Sequence, residues 1–281
     1  MYFRSNRLQN FCYLQFDMMT LSLISIINFN VIFFGYLSQS MLLEYLFYYR
    51  QAKHTKSWKT QPQKDKWVGV MWGFPIISNK GDRAPYHRYL TFINLLIASA
   101  FACAVSEFCI RGKNYMHFTS AIEYGYMNII KDLVVAIVHE NIVEYYWHRL
   151  MHLRFFYQKF HKLHHFYKSP EPFDDMYIHP LEAFGYYCIL YSPPFIYNCH
   201  LYSFLMYMIF MGICGIMDHS GIRAHIPGIY NTVDHDMHHA LFDVNYGFPF
   251  IYMDILHNTF EGNLLGWQFR VKNVRNYQKC N

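Results

Sequence analysis

Three groups of histidines stand out by their spacing. The first is His148-Arg-Leu-Met-His152, the second His161-Lys-Leu-His164-His165 and the third His235-Asp-Met-His238-His239. On a helix, positions i, i+3 and i+4 share a face, so each group can aim its imidazoles at one point. A single pair four residues apart most often lies on a solvated surface. A doubled His-x-x-His-His pattern is much harder to obtain by accident. Imidazole ligation suits zinc, iron, copper or nickel. A structural zinc site takes four ligands, and a catalytic one typically three plus water. The eight imidazoles of the three groups exceed one ion and point to two metals with open positions. There is no His-Glu-x-x-His, which removes support for a mononuclear zinc protease of that type. The Glu-x-x-His pairs of carboxylate-bridged bundles are also missing.

The segments around these groups are apolar. The chain has 281 residues, of which 53% are hydrophobic and only 15% charged, well below the share of charge in soluble domains. Disorder is excluded over most of it. Seven Cys, an odd number without Cys-x-x-Cys spacing, argue against a disulfide scaffold. Mean hydropathy is +0.00, because Tyr, His and Asn offset long apolar runs. Leu21 to Tyr49 contains one acid, Glu44, and Tyr89 to Ile110 one acid, Glu107. Each is long enough to cross a bilayer core. A third run, Tyr126 to Trp147, carries Lys131, Asp132, Glu140 and Glu144, so one face must lie against protein or the interface. Ala183 to Met217, broken at Pro193-Pro194, reads as a hairpin of two shorter segments that crosses or dips in and returns. No Pro or Gly interrupts 142–165, so a helix is expected beneath the first two histidine groups.

The expected fold is therefore an all-α integral membrane protein. About four transmembrane helices, one pair of them the hairpin, carry a cytosolic, His-rich helical cap. The expected parts are residues 1–125, membrane helices with a basic loop, 126–265, the dimetal part, and 266–281, a tail. Lys and Arg set the orientation: 19 of 24 fall in segments 50–88, 148–182 and 218–281. The positive-inside bias puts these, and the histidines, on the cytosolic side. A soluble all-helical protein is the bland alternative, and three runs of spanning length oppose it. The net charge of +5 comes with apolar runs rather than a soluble basic face, so no nucleic-acid partner is expected.

The groups and their surroundings resemble the fatty acid hydroxylase superfamily, which includes sterol desaturases, sterol C4-methyl oxidases and cholesterol 25-hydroxylase. Glu144-Tyr-Tyr-Trp-His-Arg-Leu-Met-His152 matches the opening signature and Phe160-His-Lys-Leu-His-His165 the second box. Ile178-His-Pro-Leu-Glu182 matches the His-Pro segment. Asp218-His-Ser-Gly221 is similar to the methyl oxidase branch. The third box, Asn245-Tyr-Gly247 and Asp254 complete the pattern. Pro170-Glu-Pro-Phe173 resembles the sterol C5-desaturases, and Asn258 departs from the usual glycine of the closing signature.

The resemblance implies ten metal ligands: His148, His152, His161, His164, His165, His179, His219, His235, His238 and His239. The other seven histidines read as surface, interfacial or hydrogen-bonded residues. A ligating His usually donates its other N–H to a carboxylate or carbonyl. Glu144, one turn before His148, and Glu182, Asp236 and Asp254 are candidates for that role, with Asn245 ordering the loop beside the site. Asp174 and Asp175 read as solvated loop acids. The implied metals are two non-haem iron ions and the implied oxidant is O2. The implied reaction is hydroxylation or desaturation of a sterol or related lipid in the endoplasmic reticulum, with the site facing the cytosol. No catalytic side chain separate from the ligands is expected. Electrons would come from a cytochrome b5-type donor and its NAD(P)H-dependent reductase. There is no His-Pro-Gly-Gly, so no haem is expected in this chain. The basic stretch 50–66 either docks that donor or sets topology beside anionic lipid. Alternatives are a fatty acid or other lipid hydroxylase of the same superfamily, or a zinc-dependent membrane hydrolase without redox chemistry.

Overall fold

A computed structural model describes residues 21–64, 87–112 and 114–271. Arg4, Arg7, Lys66, Lys80, Arg83, Lys113, Lys272, Arg275 and Lys279, among the 24 basic residues counted above, lie outside the described residues, as does most of the 266–281 tail.

The long helices are α1 (Leu23–Leu43), α2 (His87–Ile110), α3 (Tyr126–Met151), α4 (Pro180–Leu190) and α5 (Leu201–Asp218). The shorter α6 (Thr232–Leu241) and α7 (Tyr252–His257) follow. Among the described residues the only sheets are two-stranded: β1 (Met116–His117) with β2 (Cys199–His200), β3 (His225–Ile226) with β4 (Tyr230–Asn231), and β5 (Gly262–Leu264) with β6 (Trp267–Phe269). Among the described residues three helices are long and apolar enough to cross a membrane: Leu23–Tyr49, Tyr89–Ile110 and Leu201–Asp218. The first continues α1 through a π-helical turn, Glu44–Tyr49.

The expected mixed run is the 26-residue α3, about 39 Å long. Its acids face inward: Asp132, Glu140 and Glu144 are buried, with Asn141. It is as long as a span without being as apolar. The expected hairpin is α4 and α5. Its first leg has 11 residues, about 16 Å, and ends before Pro193-Pro194, which open a separate turn.

The helices run between two ends. At the end away from the histidines, β1 pairs in parallel with β2, which joins the α2–α3 link to the start of α5. Asp132 Oδ2 accepts from the His200 backbone N–H at 3.0 Å, and the start of α1 is tied to the end of α2 by Ser25 Oγ donating to Glu107 at 2.8 Å. Such bonds satisfy polar groups in apolar surroundings, where an unpaired group is costly. Further along, Asn94 of α2 donates to the Met176 and Ile178 carbonyls at 3.0 and 2.7 Å. The core between α2, α3 and α5 includes Ala102, Ala136, Tyr207 and Met211. α3 and α4 approach closely because Gly185 leaves room for the Trp147 indole, which occupies the place of a Cβ.

One expectation fails locally. The helix through 142–165 stops at Met151, with His152 as its C-cap. Residues 154–166 form separate short turns, Arg154–Phe156, Tyr157–His161 and His164–Phe166. A straight helix would carry His161 about 14 Å beyond His152. The chain instead turns back, and His152 and His161 meet.

Candidate metal centre

Nine histidines converge in two groups whose ligand atoms lie within 4.8 Å of one another. Group A is His148, His152, His161, His165 and His238; group B is His164, His219, His235 and His239. α3 supplies His148 and His152, the turns after it His161, His164 and His165, the C-cap of α5 His219, and α6 the last three.

Each doubled box divides between the groups. His161 and His165, four apart, enter group A, while His164 enters group B. His235 and His239, four apart, enter group B, while His238 enters group A. Adjacent helical residues point about 100° apart, whereas residues four apart share a face. The box does not aim at one point, as its spacing suggested. It straddles two.

The ring nitrogens point at one another. In group A, Nε2 of His161 lies 2.9 Å from His152 Nε2 and 3.0 Å from His165 Nε2, which is 3.0 Å from His238 Nε2. In group B, His219 Nε2 lies 3.1 Å from His164 Nε2 and 3.0 Å from His235 Nε2. His239 is 1% exposed, and neither of its ring nitrogens has a hydrogen-bond partner among the described residues. Buried polar atoms are normally paired, so converging unpaired lone pairs fit a cation at the centre of each group. Two nitrogens about 2.1 Å from one ion stand roughly 3.0 Å apart at right angles, and roughly 3.4 Å apart at the tetrahedral angle. Five donors in group A exceed a tetrahedral set, and the four of group B equal one.

The far side of several rings fixes this orientation. His148 Nδ1 pairs with the Tyr246 carbonyl at 2.8 Å, His238 Nδ1 with the Val244 carbonyl at 2.6 Å and His219 Nδ1 with the Gly215 carbonyl at 2.9 Å. A carbonyl only accepts, so each Nδ1 carries the proton and each Nε2 keeps its lone pair. His161 Nδ1 pairs with the Glu182 carboxylate. Burial, chiefly, and then neighbouring imidazoles hold His152, His161, His164, His165, His235, His238 and His239 well below the usual imidazole pKa. They are neutral, the form that binds metal.

His179 stands apart from both groups. It is the N-cap of α4, where Nδ1 accepts from the Leu181 backbone N–H at 3.2 Å, and its ring packs edge-on to Phe160. Of the carboxylates expected to orient ligands, Glu182 touches one directly. Asp254 acts one step further out: it accepts from the Tyr246 and Gly247 N–H groups at 2.8 and 2.6 Å and from Thr259 Oγ1 at 2.7 Å. That fixes the loop whose carbonyl meets His148. Asn245 clamps the same loop through the Asp234 and Glu261 carbonyls and the Glu261 N–H. Asp236 accepts from Gln61 Nε2 at 2.7 Å. Glu144 is buried one helical turn from buried Glu140, which accepts from the Tyr207 hydroxyl at 2.9 Å.

Of the two acids read as solvated, one is buried and the other is half-buried beside a histidine of group B. Asp174 is buried and pairs with His87 Nε2 at 2.7 Å. Asp175 Oδ1 lies 3.4 Å from His219 Nδ1. No spacing rule connects either to its partner, 87 and 44 residues away. Gln61 was also missed, since nothing in its neighbourhood marks it. Five of the seven unassigned histidines are hydrogen-bonded away from the groups: His87, His117, His139, His200 and His257. His54 and His225 are exposed. Within the basic stretch Lys59 is buried beside Glu171, at 3.4 Å, whereas Arg50, Lys53 and Lys56 are exposed.

Residues 133–259, which hold all nine converging histidines, match the fatty acid hydroxylase family. A lathosterol oxidase from Homo sapiens is 28% identical over 177 residues, covering 61% of this chain and 58% of that protein. A Delta(7)-sterol 5(6)-desaturase from Gibberella zeae is 32% identical over 117 residues, 41% of this chain and 34% of its own. Methylsterol monooxygenase 1-2 from Arabidopsis thaliana is 29% identical over 145 residues, 48% of each. The chain thus spans about half the length of the curated relatives it matches, or less. No solved structure matches it.

Proposed function

We propose, on the premise that residues 133–259 form a fatty acid hydroxylase domain, that this protein is a membrane-bound non-haem diiron oxidase acting on a sterol or related lipid. The carrying observation is the pair of imidazole groups with nitrogen spacings of 2.9–3.1 Å. They suit two ions of imidazole-preferring type, and the five donors of group A exceed a four-coordinate zinc set. Iron bound there would activate O2 against an unactivated C–H bond, chemistry that side chains cannot supply. The chain's own part is to hold the ligands. The Tyr246, Val244 and Gly215 carbonyls and Glu182 keep Nδ1 protonated, so that Nε2 faces the ion. Burial keeps the imidazoles neutral and bulk water out. Residues 126–265 carry this chemistry, and 1–125 anchor it.

The three span-length helices and the relatives' sterol names support a lipid substrate entering from the bilayer. α3 runs from the same far end to the same histidine end, and we read it as a fourth crossing. The histidine end faces the cytosol of the endoplasmic reticulum in this reading, by the positive-inside bias. Electrons arrive from a cytochrome b5-type donor with its reductase, for which exposed Arg50, Lys53 and Lys56 offer an acidic-partner surface.

The test compares lipids from cells expressing wild type and His164→Ala, with metal content measured on both purified proteins. The expected result is two irons per wild-type chain and an oxidised sterol or fatty acid missing in the variant. Unchanged lipids with an iron-loaded wild type, or full activity with zinc and without O2, overturn the proposal.

A further inference from the structure

We propose that the cap is seated in the bilayer on its own account, through two hairpin tips that enter the lipid beside α5. The first tip joins β3 to β4 and exposes Ile226 and Ile229; the second joins β5 to β6 and exposes Leu265 and Trp267, at 72% and 75%. They flank a shared cleft of about 230 Å³. Large apolar side chains gathered on one edge mark an interaction surface.

What covers them follows from their attachment to α5. The Phe250 ring lies 6.0 Å from the Phe210 ring, halfway along α5. Phe210 precedes Asp218, the end of α5, by eight residues, so this contact lies about 12 Å inside the end of a span-length helix. The Tyr230 hydroxyl meets the Cys214 carbonyl at 3.3 Å and Asp218 at 2.5 Å. Tyr252 donates to the Gly228 carbonyl at 2.9 Å, which fixes the first tip to the segment that descends along α5. The first tip is therefore held at the flank of a span-length helix near its end, and the second lies beside it, Leu265 against Gly228. Exposed Arg223 and Arg270 stand beside the two hairpins. Cationic side chains bordering exposed Trp and aliphatic groups are the composition of an interfacial anchor, which sits about 5–10 Å into the headgroup and acyl boundary. The occupant is the lipid bilayer, and no second protein is required.

This inference rests on α5 crossing the membrane, as proposed above, and not on the reaction catalysed. The experiment uses the full chain in nanodiscs of phosphatidylcholine, with or without bromine on the upper acyl chain. The emission lost on Trp267→Phe reports Trp267 alone. We expect brominated lipid to quench that emission and aqueous iodide to leave it unchanged. Quenching by iodide, or by neither agent, overturns the proposal. Leu265→Trp in the Trp267→Phe background gives a second probe, and it must behave as Trp267 does. Ile209→Trp in that background, on the exposed face of α5, tests the span itself. If brominated lipid fails to quench that probe, α5 does not cross; if it quenches there and not at 265 or 267, the span stands and the seated tips are wrong.

Discussion

His161 is wholly buried, and its Nδ1 meets Glu182, which is 1% exposed. This histidine is therefore oriented by an acid side chain, whereas His148 and His238 lean on carbonyls and His219 on a carbonyl with Asp175 Oδ1 at 3.4 Å. Removing an outer partner of a metal-ligating His typically lowers metal affinity 10–100-fold. Glu182→Ala is expected to fall in that range, about tenfold or more, and Glu182→Gln less, because an amide oxygen still accepts. Metal retention against a graded chelator checks both. His179 makes the opposite case. As a helix cap outside both groups, it predicts that His179→Ala keeps two irons per chain and loses only about 1 kcal/mol of stability. Elemental analysis alongside thermal unfolding separates the two effects, and loss of one iron would make His179 a ligand after all. Glu182 was a candidate from the sequence by its place three after His179, but its partner is His161, which no spacing indicated. Asp175 was not, because its approach to His219 depends on how two loops fold.

At the level of elements, the histidine boxes are held by segments that carry no ligand. Residues 58–61, just beyond α1, pair across the loop after α5: Arg223 N–H donates to the Trp58 carbonyl at 2.7 Å and Thr60 N–H to the Gly221 carbonyl at 2.9 Å. Gln61 Nε2 then bridges Asp236 of α6 and the Lys168 carbonyl, both at 2.7 Å. Gln61→Ala removes the buried hydrogen bond to Asp236 and the part-buried one to the Lys168 carbonyl, at a cost of about 1 kcal/mol each, and is expected to lower the unfolding midpoint and speed metal loss. Two glycines show why the signature is written as it is. Gly221 adopts φ +68°, and a Cβ there would lie 2.6 Å from the Tyr48 hydroxyl and 2.7 Å from the Pro170 carbonyl. At Gly247 a Cβ would lie 2.5 Å from the Phe250 carbonyl and 2.6 Å from Asp254. Gly247→Ala must push away the carboxylate that fixes the His148 loop. We expect a folded protein of lower metal occupancy, checked by iron content after size-exclusion chromatography. Helix α3 and the α4–α5 hairpin follow from the lengths of the apolar runs and the Pro193-Pro194 break, and α6 agrees with the spacing of the third histidine group. The break at His152 does not, because the 142–165 stretch has no Gly or Pro and only convergence on the site accounts for it.

For the molecule as a whole, β1 and β2 lie together at the end opposite the histidines, so the 111–120 loop and the turn before α5 share one side of the membrane. With the histidines cytosolic, a glycosylation acceptor on a spacer inserted in the 111–120 loop is expected to be modified in endoplasmic reticulum membranes. The same acceptor placed after residue 271 is expected to stay bare. The reverse pattern would invert the orientation.

The amino-acid sequence by itself determined which side chains can ligate and how long the apolar runs are. Both are local properties: imidazole chemistry belongs to the residue, and spanning length to a count of consecutive apolar positions. It also carried the resemblance to the fatty acid hydroxylase family over 133–259, since spacing within each box survives without coordinates. Which histidine joins which group was decided only by the tertiary structure. Adjacent imidazoles diverge around a helix, and their partners arrive from segments up to 90 residues away in the chain. The same holds for the Tyr246, Val244 and Gly215 carbonyls that set the tautomers, because every residue has a carbonyl and only packing selects the one that meets a ring nitrogen.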